Sequence, residues 1–520
     1  MNRDEAISRI DDLSFRWDIL IIGGGATGLG AALDAASRGY QTLLLEQGDF
    51  AQGTSSRSTK LIHGGVRYLQ QGNLALIVDA LKERARLLRN APHLVHNLAF
   101  IVPSYDWWEG PFYGIGLKIY DMLAGKEGFG KSEVLSKEKT LRHIPTIETK
   151  GLKCGIIYHD GQFDDARLAI NLAQTAWEYG ATLINYMKVE ALTKRNGIIS
   201  GAIAHDLETL REYEIKAKAV VNATGPFCDS IRKMDEPDSK EMIRPSQGIH
   251  IVLDKSFLPG DSAVMVPHTD DGRVLFAVPW HDRVIVGTTE TVLKEIGFEP
   301  KPFPEEIDFL LSHISRYLSK DPSRKDILSI FAGIRPLVGS EKFIDTAAIS
   351  RDHVISISRS GLITITGGKW TTYRKMAEET IDQGEVIGHL DPKPCITHQM
   401  KIHGYNENPL QFGDFSIYGQ DAVLLMDFIS QNPTYREKIH PKSKILIGEI
   451  IWAVKNEMAR TVEDFLARRQ RVLIQDARTS LEMAPKTAEV MSAALKRHEG
   501  WYQEQVTHYT RLARTYLGHS

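Results

Sequence analysis

The chain has 520 residues, with 63 lysines and arginines against 66 aspartates and glutamates, 42% hydrophobic residues and three cysteines. A formal charge of −3 leaves no cation excess to neutralise many phosphates, which excludes nucleic acid as a general partner. Cys154, Cys228 and Cys395 stand far apart without C-x-x-C spacing; a disulfide scaffold, a metal site and a redox dithiol are not expected, and a reducing cytoplasm fits. Residues 1–12 carry no apolar signal core and no uninterrupted run is long enough to span a bilayer, so neither secretion nor membrane spanning is expected.

Residues 17–46 spell a βαβ unit. The apolar run Ile19 to Ile22 predicts a buried strand, Gly23, Gly25 and Gly28 complete a G-x-G-x-x-G turn, and Ala31, Ala32, Ala35 and Ala36 let the following helix lie close to a sheet. A second strand from Gln41 to Leu45 ends on Glu46. Such a unit seats a pyrophosphate against the helix N-terminus, and the Glu46 carboxylate can accept both hydroxyls of an adenosine ribose. A lone glycine turn would be weak evidence, but strand, helix, second strand and acidic end in register predict a dinucleotide cradle.

Next comes a hydroxyl-rich loop from Thr54 to Leu69 that runs into Gly64-Gly65, then a helix from about Leu74 to Leu88. Residues 103–150 read as an insertion. Within it, residues 107–123 are aromatic-rich and nearly apolar all round, which fits either a buried cap helix or a segment dipping into a lipid interface. A helix from Phe163 to Tyr179 follows, and a strand from Ile215 to Asn222 stops at Ala223-Thr224-Gly225, a second place where backbone can meet ligand at a strand end. Residues 243–335 read as antiparallel strands with a helix at Glu305 to Leu318. The strand Leu362 to Thr366 leads into Gly367-Gly368-Lys369-Trp370-Thr371-Thr372-Tyr373 and another helix. Asp391-Pro392-Lys393-Pro394 marks a linker, and about 443–517 is largely helical. The run Arg468-Arg469-Gln470-Arg471 reads as a solvated or domain-docking face.

The blocks Lys60-Leu61-Ile62-His63-Gly64-Gly65-Val66-Arg67-Tyr68-Leu69, Val221-Asn222-Ala223-Thr224-Gly225-Pro226, Gly333-Ile334-Arg335-Pro336-Leu337 and Gly367 to Lys375 resemble those of FAD-dependent, quinone-linked glycerol-3-phosphate dehydrogenases. Residues 456–469 are similar to a signature of that family's appended domain. The resemblance implies a mixed α/β flavoprotein with a glutathione-reductase-like FAD domain, an interleaved antiparallel substrate domain and a C-terminal helical domain. Its FAD-dependent oxidoreductase region would span 15–395. FAD-binding pieces fall at about 15–102, 151–242 and 336–390, substrate pieces at about 103–150 and 243–335, and the helical domain at 396–520.

The implied reaction is oxidation of sn-glycerol 3-phosphate to dihydroxyacetone phosphate with FAD as hydride acceptor. Expected FAD contacts are Gly23, Gly25, Gly28 and Glu46 in the cradle, and Thr54, Ser55, Ser56, Lys60, His63 and Gly64 in the loop. Val189, Ala223, Thr224, Gly225, Gly333, Gly368, Lys369, Trp370, Thr371 and Thr372 complete the expected set. A small phosphorylated substrate needs cations over the flavin, and Arg67, Arg335, Arg351 and Lys369, with Tyr68 as a hydroxyl donor, lie in the matching blocks. An isolated arginine is more often half of a surface ion pair. Lys369 and the helix start beside it would also face the negative charge of reduced flavin. His250 is the implied base, with His63 and solvent as competitors, and the catalytic set is His250, Arg335 and Lys369.

Without a dithiol or an iron–sulfur cysteine set, the reduced flavin must be emptied by a small acceptor. A membrane quinone is expected, with the protein bound peripherally to the inner face of the cytoplasmic membrane through residues 107–123 and neighbouring Lys118, Lys126 and Lys131. Related oxidases, as the resemblance implies, carry a mid-chain insertion for which residues 244–335 are too compact. The rival readings are a glycerol-3-phosphate oxidase using dioxygen and an amine-oxidising flavoenzyme of the same broad fold. Between monomer and homodimer the sequence does not choose.

Overall fold

In the computed structural model, which describes residues 1–12, 14–64, 74–106, 109–339 and 353–518, the chain builds two large sheets and a helical C-terminal region. The first sheet grows from Trp17–Ile22, whose apolar run is buried almost throughout, as a parallel strand covered on both faces must be. Strand order is His353–Ile357, Leu362–Gly367, Glu212–Asn222, Trp17–Ile22, Thr42–Leu45 and Thr182–Ile184; all neighbours are parallel except the first pair. Chain order reverses at Trp17–Ile22, between Thr42–Leu45 and Glu212–Asn222, and such a switch point opens a crevice outside the carboxyl ends of the strands.

Helix Ala26–Ser37 packs against both Asp165–Glu178 and Tyr373–Ile387. It must start close to the strand, and Gly28 is what permits this: a Cβ there would sit 1.9 Å from the Gly23 carbonyl oxygen. Helix Asp165–Glu178 is capped by Asp164, whose Oδ1 accepts from Arg167 N at 3.1 Å. The helix expected at 305–318 is Pro304–Ser315, begun by a proline at the first turn and by Glu306, which accepts from Phe303 N at 3.0 Å.

The second sheet has Ile243–Asp254 paired antiparallel to Arg283–Gly287 and to Ser329–Val338, and it continues through Leu275–Trp280 and Ala263–Val266 to Val95–Ser104 and Cys154–Phe163. These last two strands fall in stretches that sequence reading groups with the nucleotide-binding pieces. Each is a ten-residue strand that is mostly buried, and a pattern of apolar residues points to burial without naming the sheet that supplies it. Strand Glu133–Ser136 of the 103–150 segment pairs with Cys154–Phe163, and helix Glu109–Ala124 packs over that strand.

The C-terminal helices Ile447–Asn456, Ala477–Leu495 and Glu499–Thr515 share one apolar core with Val252, Trp280, Ile285 and Phe331 of the second sheet. The basic run is a docking face: Arg468, Arg469 and Arg471 are buried, with Arg468 and Arg469 both bonded to Asp49 Oδ2 at 2.5 Å. No helix among the described residues is long and apolar enough to cross a membrane.

Candidate active site

A cavity of about 1370 Å³ opens at the carboxyl ends of the parallel strands and reaches the second sheet. Its wall includes Gly23, Gly25 and Glu46 of the first βαβ unit, Ala223, Thr224 and Gly225 after the long strand, and Gly368, Lys369, Trp370 and Thr371 at the start of the last helix. Thr54, Ser55, His63, Val189 and Gly333 line it too, and so do His250 and Arg335 from the antiparallel strands. Of the other residues expected to bind, Gly28 is packed on Gly23, Ser56 and Lys60 lie behind the wall in an ion network, Gly64 N donates to Tyr120 Oη at 2.9 Å, and Thr372 Oγ1 donates to Lys369 O at 3.3 Å. Arg67, Tyr68 and Arg351 lie outside the described residues, as do Trp107 and Trp108.

Glu46 is set before any ligand arrives. Its Oε2 accepts from Gly24 N at 2.6 Å and its Oε1 from Gly48 N at 2.8 Å. Burial raises its affinity for a proton, and the two N–H groups oppose that shift. The loop above it is pinned as well: Trp370 Nε1 donates to Ser55 O at 2.9 Å, and Thr54 Oγ1 donates to Ile334 O at 2.7 Å. A 3₁₀ turn, Trp370–Thr372, precedes helix Tyr373–Ile387, so the start of that helix stands at the cavity that Gly368 to Thr371 line.

Cross-strand register brings the reactive side chains together. His250 lies opposite Gly287 on one neighbouring strand and Phe331 on the other. Its ring stacks on Phe331 with centroids 4.7 Å apart and planes 12° from parallel. Gly287 makes this placement feasible, because a Cβ there would fall 2.1 Å from the His250 ring; in the same way a Cβ on Gly248 would fall 2.3 Å from the Arg335 guanidinium. Thr59 Oγ1 is 2.9 Å from His250 Nε2, and His250 Nδ1 is buried without a hydrogen-bond partner among the described residues. Burial first, then the charges of Lys60 and Arg335, hold His250 well below the usual histidine range, so it is a neutral imidazole able to take a proton.

Arg335 is oriented by its own sheet. Its Nη2 donates to Thr288 Oγ1 at 2.8 Å and its Nη1 to Thr289 O at 3.1 Å. Sequence reading gives no site role to Thr59, Thr288, Thr289 or Phe331: strand register sets Phe331 opposite His250, while Thr59 comes from the loop and Thr288 and Thr289 follow strand Arg283–Gly287, placements that no local motif carries. A cavity of this size, the cradle that Gly28 keeps narrow, the prearranged Glu46 and a buried imidazole nitrogen in the part of the wall that the second sheet supplies fit a flavin dinucleotide with a substrate beside it.

Comparison with known proteins agrees with this chemistry. Residues 18–374 match the FAD dependent oxidoreductase family, and residues 414–505 match the C-terminal domain of alpha-glycerophosphate oxidase. The mitochondrial glycerol-3-phosphate dehydrogenase of Homo sapiens is 41% identical over 94% of this chain and 72% of its own length; that of Mus musculus is 40% identical over 97% and 74%. A glycerol-3-phosphate dehydrogenase structure from Bacillus halodurans, complexed with FAD, superposes with a TM-score of 0.82 at 30% identity, covering 99% of this chain and 97% of that one. Fold and site define an FAD-dependent oxidoreductase. More narrowly, the chain belongs to the FAD-linked glycerol-3-phosphate dehydrogenase family.

Proposed function

We propose that the chain oxidises sn-glycerol 3-phosphate to dihydroxyacetone phosphate and passes the electrons to a membrane quinone. The observation that carries the reading is the opening of the nucleotide cradle, His250 and Arg335 onto one cavity. FAD, when bound, supplies the hydride acceptor. Arg335, with its fork fixed by Thr288 and Thr289, holds the phosphate together with Lys369. That grip aligns C2 for transfer, since a small substrate has no other handle. The neutral His250 accepts the hydroxyl proton, and Thr59 fixes the rotation of its ring. The start of helix Tyr373–Ile387 and Lys369 direct positive potential toward the cavity, where negative charge develops on reduction.

Peripheral attachment to the cytoplasmic membrane is supported by helix Glu109–Ala124. Leu117, Tyr120 and Ala124 face inward, whereas Ile115, Ile119 and Met122, spaced along one face, are 63%, 44% and 80% exposed. Both readings of this segment thus have a side of the helix to themselves. Ile115 and Ile119 also line the cavity, so an apolar acceptor arriving from lipid would meet the site at this helix. Turnover of glycerol 3-phosphate with a short-chain quinone, set against air-saturated buffer, tests the proposal. Faster turnover with the quinone is expected; steady peroxide formation at a higher rate would make the protein an oxidase.

A further inference from the structure

Behind the cavity wall lies a buried line of charges that the proposed reaction does not touch. Lys60 is fully buried; its Nζ donates to Asp165 Oδ2 at 2.7 Å and to Ser56 O at 2.8 Å. The C-terminal region grips the same groups, with Arg471 Nη2 2.7 Å from Asp165 Oδ1 and 2.8 Å from Ser56 O. Asp165 Oδ2 also accepts from Ser58 N at 3.0 Å and from Ser58 Oγ at 2.7 Å. The loop carrying Thr59 is therefore tied down on both sides of that residue, and Thr59 is the partner of His250. Lys60 Nζ stands 5.0 Å from the centre of the Phe331 ring, whose plane lies against His250.

We propose that Arg471, Asp165 and Lys60 form a strut through which the C-terminal region positions Thr59 and the His250 imidazole for proton transfer. The role rests on the assignment of His250 as base. Docking alone would require only Arg471 and Asp165. Lys60 adds a second cation to the same carboxylate and the same carbonyl, in full burial and in a left-handed backbone conformation with φ of 64° that a lysine rarely adopts. Placed beside the Phe331–His250 stack, that cation acts with Arg335 to oppose protonation of the ring.

The charged groups facing His250 are Lys60 and Arg335, while Thr59, Phe331 and Gly287 are uncharged. Those facing Lys60 are Asp165, Asp164 and Arg471. Burial pulls Lys60 down to about 7, Asp165 opposing and Arg471 reinforcing the shift, so its positive charge is present on the acid side of neutrality. Removing that charge makes His250 easier to protonate. The acid limb of kcat/KM, below which the base is blocked, must then move to higher pH.

Lys60→Met, Lys60→Arg, Arg471→Met and His250→Asn, each in the FAD-loaded full chain, test this by two readouts. One is the pH profile of kcat and KM; the other is the histidine-ring nitrogen NMR signal assigned through His250→Asn. In Lys60→Met the acid limb should rise by about one pH unit, so that on that limb kcat falls about tenfold at a fixed pH, with KM changed less than about twofold. Lys60→Arg should restore the limb, and Arg471→Met should shift the His250 ring signal. A Lys60→Met profile and ring signal that both superimpose on the wild type would overturn the strut. Should His250→Asn keep near-normal flavin reduction, the base assignment fails separately, and the ring signal in Lys60→Met and Arg471→Met still decides whether the strut positions the imidazole. If Lys60→Met does not fold, Arg471→Met gives the same two readouts, and a profile and ring signal that both superimpose on the wild type in that variant would overturn the strut.

Discussion

Arg335 is held by Thr288 and Thr289 before any substrate arrives, so its removal takes away a preorganised charge rather than a mobile one. Arg335→Ala should lower the rate of flavin bleaching by glycerol 3-phosphate by about two orders of magnitude or more while the fold survives, since a desolvated charge-assisted pair is worth several kcal/mol. Near-normal bleaching would reject the phosphate-clamp assignment. Glu46 is prearranged in the same sense by Gly24 N and Gly48 N. Glu46→Ala should lose FAD on gel filtration faster than the wild type, read as the ratio of flavin to protein absorbance; full occupancy would mean the carboxylate does not hold the ribose. Glu46 stands out in the sequence because it ends a βαβ unit whose chemistry is local, whereas Arg335 is singled out only by the family resemblance of the block that carries it. Lys60 shows the opposite case. It stands in a hydroxyl-rich loop that reads as a cofactor contact, yet its Nζ is taken by Asp165, 105 residues away, and nothing in the loop's composition points to that partner.

At the level of elements, local order is readable and pairing is not. The strands Trp17–Ile22 and Thr42–Leu45 and the helix between them follow from an apolar run, glycines at fixed offsets and a small-residue helix face. Val95–Ser104 is also largely buried, but its pairing with Cys154–Phe163 in the second sheet depends on contacts some 60 residues apart along the chain, which periodicity does not encode. Helix Glu109–Ala124 is ambiguous in sequence for a related reason: its apolar residues surround it, and only packing decides which face is covered. Its exposed face gives a direct prediction. Replacing Ile115, Ile119 and Met122 together by Ser should reduce flotation with anionic liposomes several-fold while leaving flavin content unchanged. Undiminished flotation would move the membrane contact elsewhere on the protein.

Across the whole molecule, the C-terminal region is fastened by ions as well as by its apolar core. Glu208 illustrates the contribution: Arg460 Nε donates to it at 2.7 Å and Arg497 Nη2 at 2.8 Å, with Arg3 nearby from the first helix. Burial opposes ionisation here, but these guanidinium groups dominate and pull the carboxyl from 4.5 down to about 2. A depressed carboxyl stabilises the folded chain above its unfolded pKa, and that stabilisation disappears as pH falls through the folded value. Glu208 should therefore add on the order of 3 kcal/mol above about pH 4.5, lost between there and pH 2. Glu208→Gln should lower the unfolding temperature at pH 7 and narrow its gap to the wild type as the pH approaches 2; a gap that does not change with pH would show that the ion cluster contributes nothing. The two sheets and the basic docking run meet through contacts of this long-range kind, which is why the sequence yields the class of each region more readily than its seams.

Binding of FAD in the cavity and oxidation of a phosphorylated secondary alcohol there can be read together by anaerobic stopped-flow mixing of the oxidised holoprotein with glycerol 3-phosphate, glycerol or sarcosine. Rapid, saturable bleaching of the flavin by glycerol 3-phosphate is predicted, with glycerol slower by about two orders of magnitude or more and sarcosine inert. Bleaching by glycerol at a comparable rate, or by sarcosine in preference to either, would contradict the account.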